Sequence, residues 1–469
     1  MTHNAPRRAV LTAALAAAAA AATAHSASAA PASAAGGTAP STLPVPAGHQ
    51  ATTPDDAPVD YHGWTSYPDW LFGEHRGTVP VPGRRPGVRI ARATGTLDYT
   101  DPHTGTTATW ESASWTSPVH KIPHPASELI SSWNADTPSG TWIQIELLGT
   151  YTDGTATPAY IMGRWTAGDG PDDIRRTSVD DQTDNKSSIW TDTFSIDDTS
   201  AGPLLDSYRL RLTLFRKPGS HLTPTVWRLG AMASNIPDRF TVPASVPGVG
   251  AGVELPVPRY SQNIHKGQYP EYDNGGEAWC SPTSSTMVIE YWGRGPTAEQ
   301  MAWVDPSYAD PQVDQGARYT YDYQYEGCGN WPFNAAYAAT YTDMQGVITR
   351  LHSLNDVERL IKAGIPVITS QSFLASELDG AGYGTSGHLM CIAGFTPEGD
   401  VVANDPASSS DDAVRNIYKR AQFETIWLRT KRINASGGVS GGTGGVCYLY
   451  FPAKPSPAQR RALASVGIA

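Results

Sequence analysis

The sequence predicts a multidomain protein in which an N-terminal antiparallel β-sandwich precedes a domain of the α+β class. Two observations predict it. Between residues 87 and 243 the apolar side chains recur with a period of two, as half-buried strands require. After the Pro/Gly-rich stretch 241–259 the punctuation changes to helix starts and stops, and strands come after the helices, which is an α+β order.

Residues 1–29 carry no acidic residue, the basic pair Arg7 and Arg8, and an alanine-rich apolar run over 13–24. That is a secretory signal peptide, with Ala27, Ser28 and Ala29 as its small-residue cleavage site. RRAVL also fits the twin-arginine pattern, so export is expected by either that route or the Sec route. No other segment approaches the roughly 18 uncharged apolar residues of a membrane span, and the mature chain is expected to be secreted. Residues 30–57, rich in Ala, Pro, Gly, Ser and Thr, hold too little apolar surface to offset the entropy of ordering and are expected to be a flexible linker. Residues 58–86, with YHGWTSYPDWLFGEHRGT, form an aromatic lead-in.

The predicted sandwich covers 87–245. In TWIQIELLG, Ile143, Ile145 and Leu147 fall on one face and Trp142, Gln144 and Glu146 on the other; SYRLRLTLF turns Tyr208, Leu210, Leu212 and Leu214 inward. Turn clusters such as DPHTGT and YTDGTATP separate the runs. Trp142, on the polar face of its strand, is a candidate platform for a sugar ring, which makes a glycan a candidate partner for this domain.

The second domain covers 255–453, with residues 454–469 as a C-terminal tail. Ser281 and Pro282 open a helix that Gly293 ends. Pro332 opens another, and Ser353 with Asp356 forms a capping box for a third that stops at Gly364. The strands IPVITS, HLMCIAGF and DVVANDP follow, the last two joined by TPEG.

The chemistry-bearing residues lie in this second domain. A cysteine is a nucleophile only as a thiolate, and the unpaired N–H groups and partial positive charge of a helix N-terminus favour that form; Cys280 stands at such a start. His388 begins an apolar strand next to Gly387, whose backbone is open to close approach. The next strand ends in Asn404 and Asp405 at the same end of the hairpin, where an acid or amide orients an imidazole. Counted from the turn, His388 and Asp405 are offset by about 10 Å at a rise of roughly 3.3 Å per residue. A bulge, or an Asp405 lying just past the strand end, closes that gap. Cys328, ahead of Pro332, is the rival nucleophile, whereas Cys391 and Cys447 sit in apolar strands as core residues. With Cys280 free, the other three of the four cysteines form at most one disulfide.

The tryptophan–cysteine pair at a helix start, the upstream PRYSQ, the glycine–histidine on a strand and the NDP one strand later resemble the family thirty-nine-like cysteine peptidases over residues 255–451. The resemblance implies a papain-like fold with Cys280 as nucleophile, His388 as base, Asp405 as the orienting residue and Gln262 as a side-chain donor to the oxyanion. It also implies a preference for small-residue peptide bonds. Gln262 precedes Cys280 by 18 residues, a longer loop than such relatives carry, which leaves Gln268 and Asn274 as competing donors. The backbone N–H of Cys280 is a donor independent of that choice. The sandwich segment resembles the region that precedes the peptidase-like domain in actinobacterial secreted proteins.

The net charge is −11, and loss of Arg7 and Arg8 with the signal makes it −13. This excludes a nucleic-acid partner, and no long basic run offers a surface for an anionic membrane. His103, His120 and His124 lie near one another in the chain, but DPHTG and KIPHP are taken as loops, with no carboxylate or cysteine at ligand spacing. GVGAG and GGVSGGTGG lack the strand-to-helix context that holds phosphate. No metal and no cofactor is expected. The predicted function is that of a secreted cysteine peptidase acting through a Cys-His-Asp triad on extracellular peptides, proteins or peptidoglycan stem peptides. The competing functions are a carbohydrate or cell-wall binding protein whose papain-like domain is inactive, and an acyl-transfer enzyme using the same triad.

Overall fold

The computed structural model describes residues 58–468; the expected signal peptide and linker lie outside them. The N-terminal region consists of two seven-stranded antiparallel sheets. One runs in the order Ser187–Trp190, Thr193–Ile196, Glu128–Asp136, Thr225–Ser234, Gly87–Ile90 and Thr78–Val81, with Val59–Trp64 also paired to Thr225–Ser234. The other runs Ala156–Trp165, Thr141–Tyr151, Leu205–Arg216, Thr107–Thr116 and Glu74–Arg76, with Gly95–Thr100 and His120–Ala126 added beside it. The period of two sets the register: Ile143, Ile145 and Leu147 lie opposite Leu214, Leu212 and Leu210. This row shares one core with Leu129, Trp133, Leu229 and Met232 of the first sheet.

Three expectations change here. The aromatic segment 58–86 is no lead-in, because its strands pair into both sheets. Trp64 and Trp70 pack on Trp115 at ring distances of 6.1 and 4.8 Å. A Cβ on Gly73 would stand 2.0 Å from the Trp115 Nε1, so only glycine admits that indole. KIPHP is not a loop but part of the strand His120–Ala126.

The third concerns Trp142, which is fully buried and not a surface platform. It is stacked on Phe215 at 3.8 Å and edged by Trp110 at 5.9 Å, with Tyr99 and Ile174 completing a small second core. Alternation assigned its face correctly, but alternation does not say what covers that face.

The C-terminal region combines helices with a six-stranded antiparallel sheet. Its helices are α1 (Cys280–Tyr291), α2 (Pro311–Thr320), α3 (Trp331–Thr340), α4 (Leu354–Lys362), α5 (Arg420–Leu428) and α6 (Pro457–Ala464). The strands are β1 (Met344–Arg350), β2 (Val367–Phe373), β3 (Thr385–Phe395), β4 (Val401–Asn404), β5 (Arg415–Tyr418) and β6 (Val446–Pro452), in spatial order β1-β6-β2-β3-β4-β5. The first ten residues of α1 are buried although five are Ser or Thr. Three of these hydroxyls are matched by the sheet: Ser281 and Ser285 meet the Tyr448 and Tyr450 hydroxyls at 2.9 Å, and Ser284 donates to the Leu389 carbonyl at 3.2 Å. A buried hydroxyl without such a partner is costly, so this matching fixes α1 on the sheet. Ser353 precedes α4 as expected but its side chain makes no cap; Asp356 accepts from the His352 N–H instead. The tail folds as α6, with Leu463 and Ile468 buried.

The two regions share core and hydrogen bonds. Phe333 of α3 lies 6.1 Å from Trp133 and 5.3 Å from Trp165. The Asn134 amide donates to the Gly346 carbonyl at 2.7 Å, and Arg350 pairs with Glu128 at 2.6 Å. No helix among the described residues is long and apolar enough to cross a membrane.

Because Trp142 is core, Trp142→Ala is expected to lower the unfolding free energy by about 3–5 kcal/mol in urea denaturation. A loss below about 1 kcal/mol, the range of surface changes, would return the side chain to the exterior.

Candidate active site

Cys280 is the first residue of α1, and the chain reaches it through a tight approach. Gly275 has φ +98°, and a Cβ on Gly276 would lie 2.4 Å from the Gln262 carbonyl oxygen and 2.5 Å from the His265 backbone carbon. Bare backbone at Gly276 thus lets the turn Gln262–His265 close against the segment leading into Cys280. Trp279 anchors the same segment, fully buried, its indole N–H donating to the Tyr272 carbonyl at 2.6 Å. His265 Nδ1 lies 3.2 Å from the Asp314 carboxylate, both side chains fully buried, which seats the turn against α2.

Of the three candidate amides, Gln262 reaches this segment: its Nε2 donates to the Glu277 carbonyl at 2.5 Å. Gln268 meets the His265 ring at 2.9 Å, and Asn274 sits at φ +62° in the intervening loop. The Gln262 backbone N–H also donates to the Pro406 carbonyl at 2.8 Å, joining the turn to the residue after Asp405.

His388 lies on β3, and its Nε2 is 2.9 Å from Asp405 Oδ1, both side chains being nearly inaccessible. Each of the two alternatives that would close the offset is present. The β3–β4 register slips between Ile392 and Gly394, and β4 ends at Asn404, so Asp405 falls just beyond the strand. Cys391 faces Asn404, which sets Asp405 level with Met390 and diagonal to His388, within side-chain reach. Asn404 serves the backbone, donating to the Pro258 carbonyl at 2.9 Å.

Asp405 accepts further hydrogen bonds from the Tyr383 hydroxyl at 2.9 Å, the Tyr418 hydroxyl at 2.7 Å and the Ala407 N–H at 3.0 Å. The Tyr383 ring stands edge-on to the His388 ring at 5.6 Å. Sequence reasoning missed both tyrosines; Tyr383 was within sight, five residues before His388, but Tyr418 arrives only through the pairing of β5 with β4. Burial alone would lower the His388 pKa, yet the Asp405 carboxylate, and after it the Cys280 sulfur, raise it to about 10. Burial likewise opposes ionisation of Asp405, and the charge and hydrogen bond of His388 lower its pKa in spite of that. The structure therefore gathers Cys280, His388, Asp405 and Gln262 at one place where the head of α1, β3 and the segment after β4 meet.

Residues 60–234 match the model described as the Peptidase C39 N-terminal domain, and residues 254–435 match the Peptidase_C39 like family. Residues 254–435 belong to the C39-like peptidase family. A crystal structure described as that of a C39-like peptidase from Bacillus anthracis is 18% identical, covers 44% of this chain and 98% of that one, and has a TM-score of 0.27. No curated protein matches the chain.

All four cysteines are free thiols, so the disulfide allowed by sequence is not formed. Three of the four lie sealed within the C-terminal region. Cys328 donates to the Ala317 carbonyl, and Cys391 and Cys447 sit in β3 and β6, all at 0% exposure. Burial raises the pKa of each of these three thiols. Cys280, at 6%, is the one with access to solvent. Iodoacetamide at neutral pH is therefore expected to alkylate Cys280 first, as read by peptide mass mapping. Earlier labelling of Cys328 or Cys391 would contradict the site.

Proposed function

We propose that the protein is an exported cysteine peptidase that hydrolyses peptide bonds outside the membrane. The observation that carries this reading is the buried His388–Asp405 pair with the Cys280 sulfur as its next electrostatic partner, at the head of a helix in a C39-like domain. The cysteine-bearing helix followed by an antiparallel sheet that holds the histidine supports a papain-like arrangement. Two sheets around one core support a β-sandwich for the N-terminal region. Residues 1–29 carry the export signal.

The proposed chemistry follows from proton positions. A raised pKa keeps His388 charged at neutral pH, and with Nε2 committed to Asp405 its Nδ1 is the nitrogen left for the sulfur. With the Cys280 thiol proton carried on His388 Nδ1, the sulfur attacks the peptide carbonyl carbon, and the carbonyl electrons move to oxygen. That oxyanion accepts from the Cys280 backbone N–H, which has no acceptor within its own helix, and from the second N–H of Gln262 Nε2. The tetrahedral intermediate collapses, the C–N bond breaks, and His388 gives its proton to the departing amine. Neutral His388 then takes a proton from water as the water attacks the thioester. The C–S bond breaks, and the carboxylic acid leaves. Asp405 keeps the imidazole oriented throughout.

The test is to incubate mature protein and its Cys280→Ala variant with a mixed peptide library and with purified peptidoglycan, and to identify products by mass spectrometry. New hydrolysis products from wild type alone are expected. His388→Ala should then lower the rate by roughly 100- to 10,000-fold, the usual worth of a general base, and Asp405→Ala by less. Ligated products would favour acyl transfer, and identical mixtures from wild type and Cys280→Ala would contradict the peptidase.

A further inference from the structure

At the seam between the N-terminal region and the C39-like domain lies a cavity of about 420 Å³ that the proposed peptidase chemistry does not use. Its size falls in the range of small-molecule sites, roughly 300–1,000 Å³. Apolar side chains from three places form it: Trp227 of the first N-terminal sheet, Phe451 of β6, and Leu463 and Ile468 of α6 and the residues after it. All four of these are at most 5% exposed.

The polar groups around the cavity are dominated by cations. Arg84, Arg85, Arg228 and Arg460 all line it. Among the described residues none of the four is held in an ion pair. Arg228, itself 4% exposed, donates to the Gln345 amide oxygen at 2.7 Å and to the Tyr61 hydroxyl at 3.3 Å, both uncharged. Arg460 donates to the Pro455 carbonyl at 2.6 Å. Arg85 lies over the Trp227 ring at 3.8 Å, and its nearest acids, Asp136 and Asp343, act on it only through space. The Trp227 indole N–H is buried without a hydrogen-bond partner. A chain of net charge −11 disfavours anions over most of its surface; four arginines around an apolar hollow form a local exception. The uncommitted groups there are donors, and a guanidinium fork matches a carboxylate.

We propose that this cavity binds a small molecule with an apolar body and a carboxylate head, the body resting on Trp227, Phe451 and Leu463 and the head taken by Arg85, Arg228 and their neighbours. Because the walls come from both regions, the bound molecule bridges them.

The test uses the mature full-length protein, with decanoate as probe and decanol as its uncharged counterpart, followed by titration calorimetry and by tryptophan fluorescence. Saturable binding of decanoate is expected, with decanol at least about tenfold weaker, the worth of one charge-assisted hydrogen bond. An Arg84→Gln, Arg85→Gln double variant, whose changes fall on exposed residues, should bind decanoate at least about tenfold more weakly with an unchanged melting temperature. Leu463→Trp, which fills the hollow, should abolish binding of both probes. Equal affinities for decanoate and decanol, undiminished binding by the double variant, or no saturable binding would each overturn the proposal. None of these readouts depends on Cys280, so failure here is distinct from failure of the peptidase assignment.

Discussion

A carboxylate at 1% exposure, Asp405, receives hydrogen bonds from one imidazole, two tyrosine hydroxyls and one backbone N–H, and the arrangement of the site hangs on it. A buried charge is tolerated only when it is paired and its lone pairs are filled. Each donor comes from a different place: β3, the loop before it, β5, and the segment after β4. Satisfying this one anion therefore fixes how four parts of the chain meet. The same segment continues the linkage, since Pro406 accepts from the Gln262 N–H and Asp411 from the Ser261 N–H at 2.7 Å. Histidine and amide are thus positioned by a single stretch of backbone.

The head of α1 completes the arrangement from the other side. Its hydroxyl-rich first turns are held by Tyr448, Tyr450 and the Leu389 carbonyl, so Cys280 is set by the sheet that also carries His388. Behind this, the N-terminal region supports the helices: Asp192 accepts from the Trp331 N–H at 2.9 Å, and Asp322 from the Ser178 N–H at 2.9 Å. The N-terminal sheets are part of the foundation of the C39-like domain.

The legible part of this molecule was local in sequence. Period-two runs located the strands of the N-terminal sheets, and Ser281, Pro282 and Gly293 bracketed α1, because propensity and capping act within a few residues. Cys280, His388 and Asp405 could be brought together because a hairpin places His388 and Asp405 near each other and a helix start marks the thiol. What escaped required knowledge of distant packing. Trp142 alternates correctly, but only the folded chain brings Phe215, Trp110 and Ile174 over it. Tyr418 reaches Asp405 through sheet order, and the strands of 58–86 are short enough to pass for a loop until their partners are known. That Gln262 reaches the segment before Cys280, and Gln268 and Asn274 do not, turned on the bare backbone of Gly276, a contact that no pattern announces.

The titration of His388, followed by NMR in protein labelled at its histidines and assigned with a His388→Gln variant, tests most directly whether Asp405 holds the buried imidazole as a cation beside Cys280. The account predicts a ring that stays charged through neutral pH and releases its proton only near pH 10, and an Asp405→Asn variant in which the same ring loses its proton at a clearly lower pH. A wild-type His388 that titrates at the ordinary 6.5, or a titration that Asp405→Asn leaves in place, would contradict it.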